Sequence, residues 1–284
     1  MVDFGINGRL GNQMFQYAFL YSIAHNSDNT ILKLPKPNNP ESDKQTYQLE
    51  TVFDMKIEEL TMNDYKNLKL KLRERIEYDE DPSVDVVKNT RANASFSGYV
   101  QCWKYFHPMM KKQIINQFKF KSDVVKKAEE ALLDMNIVYN TKLVSLHVRR
   151  GDYIGNIHYV PDIAYYRAAA LYIKGCMEGN GTKLHFVVFS DDIDWCKEHI
   201  TSDTIGNVSI TYSSNSHGVD LFLMSHCDAH IIAASSFSWW GAYLADSNMV
   251  IAPSKWFNER ATRKYNSFNK RITANLLLPG WITI

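Results

Sequence analysis

Four short apolar runs in the second half of the chain constrain its fold more than any other feature: KLVSLHV (142–148), KLHFVVF (183–189), AHIIAA (229–234) and MVIAP (249–253). Each is continuously hydrophobic rather than alternating, the pattern of strands buried on both faces of a parallel sheet. Helical stretches separate and follow them: PDIAYYRAAALYIKG (161–175), DIDWCKEHI (192–200), GVDLFLMSHC (218–227) and WWGAYLA (239–245). Strand and helix in strict alternation predict a doubly wound α/β domain.

The first half reads differently. MVDFGI (1–6) predicts a strand, NGRLG (7–11) a tight turn and NQMFQYAFLYSIAHN (12–26) a helix, whose Met14, Tyr17, Ala18 and Tyr21 recur at helical spacing on one buried face. ILKL (31–34) predicts a second strand, and the three prolines within 35–47 a surface loop. Segments 61–77 and 111–135 are charge-rich and helical in pattern, the latter with a cap at Ser122/Asp123. The change of character near residue 140 divides the chain into an N-terminal domain, 1–140, and a C-terminal domain, 141–284, whose last helix is expected to pack back on the first.

The 284 residues carry 32 Lys+Arg against 31 Asp+Glu, a net charge of +1, and 45% are hydrophobic. Near-neutrality argues against a nucleic-acid binder, and the apolar content against a disordered chain. Cys102, Cys176, Cys196 and Cys227 form no C-x-x-C pair, so reduced thiols are expected. No secretory signal and no membrane-spanning segment are legible, which predicts a cytoplasmic protein.

In an open parallel sheet, ligands bind beyond the carboxyl ends of the strands. The first run ends in HVRRGDY, with His147, Arg149, Arg150 and Asp152; the second in FSDD, with Ser190, Asp191 and Asp192; the third in SSFS, with Ser235, Ser236 and Ser238. Arginine's planar fork binds phosphate in bidentate fashion. Serines at a helix N-terminus add hydroxyls to free N–H groups, a natural phosphate seat. A carboxylate accepts two hydrogen bonds from the N1–H and amine of guanine. Taken singly, His147 is more often a packed strand histidine, RRGD a charge-paired turn, and SSFS a helix cap. Their recurrence at three strand ends favours a diphosphate and a polar heterocycle. The glycines of GINGRLG do not follow G-x-G-x-x-G, and no P-loop, H-E-x-x-H, clustered Cys/His set or G-x-S-x-G occurs, which leaves nicotinamide, P-loop, zinc and serine-hydrolase chemistry without an anchor.

GRLGNQMFQYA from Gly8, HVRRGDY from His147, FSDD from Phe189 and ASSFSWWGAYLA from Ala234 together resemble the bacterial α-1,2-fucosyltransferases of glycosyltransferase family 11. The blocks run in the family's order across residues 8–250. The resemblance implies a GT-B-like fold of two Rossmann-type domains facing across a cleft, GDP-β-L-fucose as donor, and inverting transfer to the 2-hydroxyl of a terminal galactose without a metal or other cofactor. It further implies that Arg149 holds the β-phosphate; Arg150 is expected to be structural, since consecutive strand-end side chains point to opposite faces. The implied donor contacts are His147, Asp191 or Asp192 on guanine, Ser235, Ser236 and Ser238 on the phosphate side, and Asn12 and Gln13 from the glycine-rich loop. Asp152 is the candidate general base or a brace for the arginines. Family members often carry Asn where this chain has Ala234. Trp103, Tyr105 and Phe106 are either sugar-stacking or core residues. The implied acceptor is a galactose-terminated glycan, with a lipid-linked form and peripheral association at the inner membrane face as further expectations. A fucosyltransferase of other linkage and a catalytically silent sugar-nucleotide-binding protein are the alternatives.

Overall fold

The computed structural model describes residues 2–4, 8–25, 32–34, 47–59, 61, 64, 72–76, 94–106, 109–179, 181–259 and 265–284. The chain forms two compact units, Met1–Lys121 and Ser122–Ile284. The amphipathic helix starting at Ser122 thus belongs with the second unit.

The first unit holds a five-stranded parallel sheet of β1 (Val2–Phe4), β2 (Leu32–Leu34), β3 (Glu58–Glu59), β4 (Leu72–Ile76) and β5 (Ala94–Gly98), in the order β3-β2-β1-β5-β4. Helix α1 (Leu10–His25) follows β1 and is buried almost all round, not on one stripe; Met14, Phe15, Ala18, Phe19 and Ile23 are inaccessible, while Tyr21 is only half-buried. Phe19 packs edge-on against Phe96 and Tyr105 at 5.1 and 4.9 Å, which assigns Tyr105 to the core. Phe106 is buried with it against Phe15, and Trp103 is half-buried. Helices α2 (Leu49–Val52) and α3 (Lys111–Gln117) are the unit's other α-helices among the described residues. The helical reading of 61–77 fails at 72–76, which is strand β4. Its charged sequence, LRERI, occupies a sheet edge, where charge discourages pairing with other chains. Most of 61–71, with the loop of 35–46, lies outside the described residues.

The second unit opens with α4 (Ser122–Asp134), which buries Val124 and Ala128. Its sheet has six parallel strands: β6 (Thr141–Val148), β7 (Lys183–Ser190), β8 (Ser209–Tyr212), β9 (Ala229–Ile231), β10 (Val250–Ala252) and β11 (Ile282–Thr283). The connecting helices are α5 (Ile163–Met177), α6 (Ile193–His199), α7 (His217–Ser225), α8 (Ser236–Leu244) and α9 (Tyr265–Leu276), and α4 lies against α7. Strands β8 and β11, absent from the sequence expectation, are short and occupy the two sheet edges. Val144, Leu146 and Val148 of β6 are buried, and Tyr165 of α5 donates its hydroxyl proton to the carbonyls of Ile232 and Ile251.

The order β11-β10-β9-β6-β7-β8 means that the chain lays down β6, β7 and β8 in one direction, then returns to pair β9 against β6. The crevice at the carboxyl ends of β6 and β9 is therefore a topological switch point, where open α/β sheets bind ligands. In the first unit the same reversal lies between β1 and β5.

Burial also makes stability pH-dependent. His147 and His230 are fully enclosed, and desolvation lowers each from 6.5 to about 3, with Arg149 adding to the shift at His147. Buried Asp220, which accepts a 2.5 Å hydrogen bond from Ser213, is raised from 3.8 to about 7 by desolvation. On acidification the unfolded chain protonates both histidines while the native state keeps them neutral, which destabilises the fold below pH 6.5. Asp220 acts oppositely, because its native form binds the proton first. Two histidines outweigh one carboxyl, and burial lowers His158, His185 and His217 as well, so stability is expected to fall by at least about 1.4 kcal/mol per pH unit between roughly pH 6 and 4. Urea melts at pH 7 and 5 check this; equal or greater stability at pH 5 contradicts neutral burial of the two rings.

Candidate active site

Strand register brings three sequence blocks together at the switch point. Residues 147 and 148 of β6 pair with 189 and 190 of β7, and Leu146 pairs with Ile231 of β9. From β9 the chain runs through buried Ile232, Ala233 and Ala234 to Ser235, the N-cap of α8.

Arg149 and Arg150 leave β6 in different directions, as successive strand residues must. The Arg149 guanidinium donates to Asp152 Oδ1 at 2.5 Å and lies 3.2 Å from Asp191 Oδ2. Arg150 pairs through Nε with Asp192 Oδ2 at 3.1 Å and sits 3.8 Å above the Trp195 ring, which makes it a structural clamp. Asp191 Oδ1 accepts the backbone N–H of Arg150 at 2.9 Å, and Asp192 Oδ1 caps α6 by accepting from Trp195 N. All four carboxylate oxygens of the Asp191/Asp192 pair thus face protein donors, and the pair anchors the arginines. Arg149 has one exchangeable partner and one fixed one: the Asp152 side chain is 54% exposed, the Asp191 side chain 24%.

His147 is buried beside Arg149, with its ring 5.8 Å from Phe237, and its Nδ1 has no hydrogen-bond partner among the described residues. Held neutral by burial, it offers one donor and one acceptor nitrogen. Ser235 accepts from Phe237 N at 3.3 Å, and Ser236 opens the helix half-buried. Ser238 turns inward, donating to the Ser235 carbonyl, and is 2% exposed. The N-terminus of α8 therefore stands at the switch point with buried Ser235, half-buried Ser236, first-turn N–H groups and the positive dipole end.

Asn12 and Gln13 belong to the other unit's switch point. Asn12 Oδ1 accepts from Gln101 Nε2 at 2.5 Å, joining the start of α1 to the segment after β5. Gln13 is 1% exposed; it donates to the Gly8 carbonyl and accepts from Gln48 N, so it braces the glycine turn. Gly8 has φ +75°, and a side chain there would collide with Asn12.

Sequence reasoning missed Tyr153 and Trp195, which carry the two arginines on their rings. The available signal was spacing: Trp195 lies three residues after its cap Asp192, and Tyr153 closes a short 3-10 turn, Gly151–Tyr153, directly after the arginines. Gly151 is equally specific. A Cβ there would overlap the Asp191 carboxylate. Gly151→Ala is expected to displace Asp191 from Arg149 and lower turnover about tenfold, with little change in melting temperature, because only a side-chain end must move. Unchanged turnover would show that the Asp191 contact is dispensable.

A family model described as glycosyl transferase family 11 matches residues 1–283. The chain is a member of glycosyl transferase family 11. An "Alpha-1,2-colitosyltransferase" of Escherichia coli is 31% identical over 287 residues, covering 92% of this chain and 93% of that one. A "Galactoside alpha-(1,2)-fucosyltransferase 1" of Pan troglodytes is 26% identical over 271 residues, covering 86% of this chain and 65% of that longer one. Among solved structures, NodZ α-1,6-fucosyltransferase soaked with GDP-fucose superimposes with a TM-score of 0.54 at 11% identity, over 86% of this chain and 92% of NodZ. The fold of this family 11 glycosyltransferase is accordingly GT-B-like α/β. Among the described residues no helix is long and apolar enough to cross a membrane, and no group of three His, Cys, Asp or Glu side chains could hold a metal ion.

Proposed function

We propose that this glycosyltransferase moves L-fucose from GDP-β-L-fucose to the 2-hydroxyl of a terminal galactose, with inversion and without a metal. The observation that carries the reading is Arg149 at the switch point, held by Asp191 and flanked by the N-terminus of α8. That is the place and the chemistry a departing diphosphate needs. Both named relatives with α-1,2 specificity support the linkage.

In the reaction the bond between fucose C1 and the β-phosphate oxygen breaks, its electron pair leaving with GDP, while the acceptor oxygen bonds C1 from the opposite face and releases its proton. Negative charge grows on the β-phosphate. Arg149 and the N–H groups of α8 stabilise it, supplying the positive charge that a divalent ion provides elsewhere. At rest Arg149 is paired with exposed Asp152; donor binding replaces that partner by a phosphate oxygen, while Asp191 keeps the guanidinium in place. His147, neutral and beside Arg149, contacts the ribose, guanine or phosphate, and Ser235 and Ser236 the phosphates. Asp191 and Asp192 serve the donor chiefly through the arginines. Asn12 orients the glycine-rich loop, with Gln13 behind it. Asp152→Asn separates two roles: tighter GDP binding with turnover retained marks a resting partner of Arg149, and loss of turnover marks a base.

A donor related to fucose is favoured as second reading by the 31% identity with the colitosyltransferase. Colitose is the 3-deoxy analogue of L-fucose, so the two nucleotide sugars differ by one hydroxyl. Purified protein offered GDP-fucose or GDP-colitose with a panel of galactosides, free and lipid-linked, tests both, with product linkage read by NMR. Transfer to another hydroxyl reassigns the linkage, and GDP binding without transfer or hydrolysis identifies a silent module.

A further inference from the structure

The turn after Arg149 carries an aromatic column. Arg149 Cζ lies 5.2 Å from the centre of the Tyr153 ring. That ring stacks on His158 at 4.1 Å with a 15° interplanar angle, and His158 lies 5.2 Å from Phe257. The far end is fixed by backbone. Residues 158 and 257 form an isolated antiparallel bridge, Tyr159 N donates to the Trp256 carbonyl, and Asn258 N to the Ile157 carbonyl. Buried Asn269 of α9 locks the same segment: its Oδ1 accepts from Trp256 N and Phe257 N, each at 2.9 Å, and its Nδ2 donates to the Phe257 carbonyl at 3.0 Å.

The Tyr153 hydroxyl lies near the side chain of Ser235, the N-cap of α8. One side chain thereby carries the guanidinium on its ring beside the N-terminus of α8. A cation over an aromatic face is attracted by the ring quadrupole, which adds a restraint on the guanidinium beyond its carboxylate pairs. That restraint matters when Arg149 releases Asp152.

We propose that Tyr153 is a positioning residue for the transfer reaction, holding the Arg149 guanidinium in place when it turns from Asp152 to the departing diphosphate. The proposal rests on the assignment of Arg149 to the leaving diphosphate. His158 and Phe257 back the ring.

The test is a double-mutant cycle read on turnover and on GDP affinity. Tyr153→Leu is expected to lower kcat about tenfold or more, with the KM for GDP-fucose moving less than about threefold, because the restraint acts where charge develops. Tyr153→Phe, which keeps the ring, is expected to recover to within about threefold of native turnover. In the Arg149→Lys background, Tyr153→Leu should cost less than about twofold, since the geometry it maintains is already lost. A tenfold loss in both backgrounds shows that Tyr153 acts independently of Arg149 and overturns the proposal, as does native turnover in Tyr153→Leu. Should Tyr153→Leu fail to fold, Phe257→Leu removes the column's support from outside the seat and enters the same cycle, with the same two outcomes. GDP titration by calorimetry separates the premises. A native protein that does not bind GDP removes the donor reading itself, whereas native GDP binding with additive substitutions removes only the role of Tyr153.

Discussion

Arg149→Ala is expected to lower kcat by about 100- to 1,000-fold, the range found when a preorganised donor to a developing oxyanion is removed. Of the two arginine heads at the switch point, it is the one with the more exposed carboxylate partner, Asp152 at 54% against 36% for Asp192; Arg150 is also held on Trp195 and stays behind. Arg149→Lys keeps the charge but not the fork. A lysine ammonium cannot face Asp191 and a phosphate oxygen in one plane, so turnover should still fall at least about tenfold, or 1.4 kcal/mol of barrier. The KM for the donor should rise less than kcat falls, because the charge being stabilised is largest in the transition state. Steady-state rates of GDP release with a saturating galactoside, alongside GDP affinity, measure both quantities. Near-native kcat in Arg149→Lys would remove Arg149 from the leaving-group role. Arg150→Lys is the informative contrast: it should act through loss of stacking on Trp195, lowering the melting temperature more than it changes the ratio of kcat to KM.

The site was legible in the sequence to the extent that strand ends were. Continuous apolar runs locate β6, β7, β9 and β10, and a charged or hydroxylic block after each of the first three must then lie at one end of a parallel sheet. Pairing within the site was not legible, because it depends on side-chain direction and helix start. Asp191 and Asp192 are neighbours in sequence, yet one reaches the backbone of Arg150 and the other caps α6. Ser238 looks equivalent to Ser235, but three residues into a helix it faces the core. Gln13 reads as a polar loop residue and proves to be a buried brace, since an amide can serve backbone groups at both ends. Most of the unread strands, β3, β4, β8 and β11, are sheet edges, where charge or brevity hides the strand pattern; β5, also unread, lies inside its sheet. Switch points were likewise invisible, because strand order is a tertiary fact that no local pattern encodes.

Trp239→Ala should destabilise the second unit more than any substitution within the site. Its ring is inaccessible, stacked on Tyr243 at 4.9 Å, edge-on to Trp240 at 5.0 Å and 5.6 Å from Trp281. Its indole Nε1 donates to the carbonyl of Leu276 at 2.5 Å. Leu276 is the last residue of α9, and a final-turn carbonyl has no donor within its own helix, so the indole supplies the bond the helix cannot. Truncation to alanine removes the ring and opens a cavity, at a cost of about 3–5 kcal/mol, and the stranded carbonyl adds to it. Against a typical total of about 5–15 kcal/mol, that is a large fraction. A unit of this size should lose roughly 10 °C in melting temperature, at about 2–4 °C per kcal/mol. Trp239→Phe divides the effect: it retains much of the packing and loses the hydrogen bond, so a drop of about 1–3 kcal/mol isolates the stranded carbonyl. Thermal melts of the two variants give the comparison, and a loss below about 3 °C for Trp239→Ala would mean that the cluster collapses around the gap. Activity should follow stability here with a further penalty. Trp239 lies one turn into the helix whose first residues form the phosphate side of the site, so a loosened α8 also lets Ser235 drift from Tyr153.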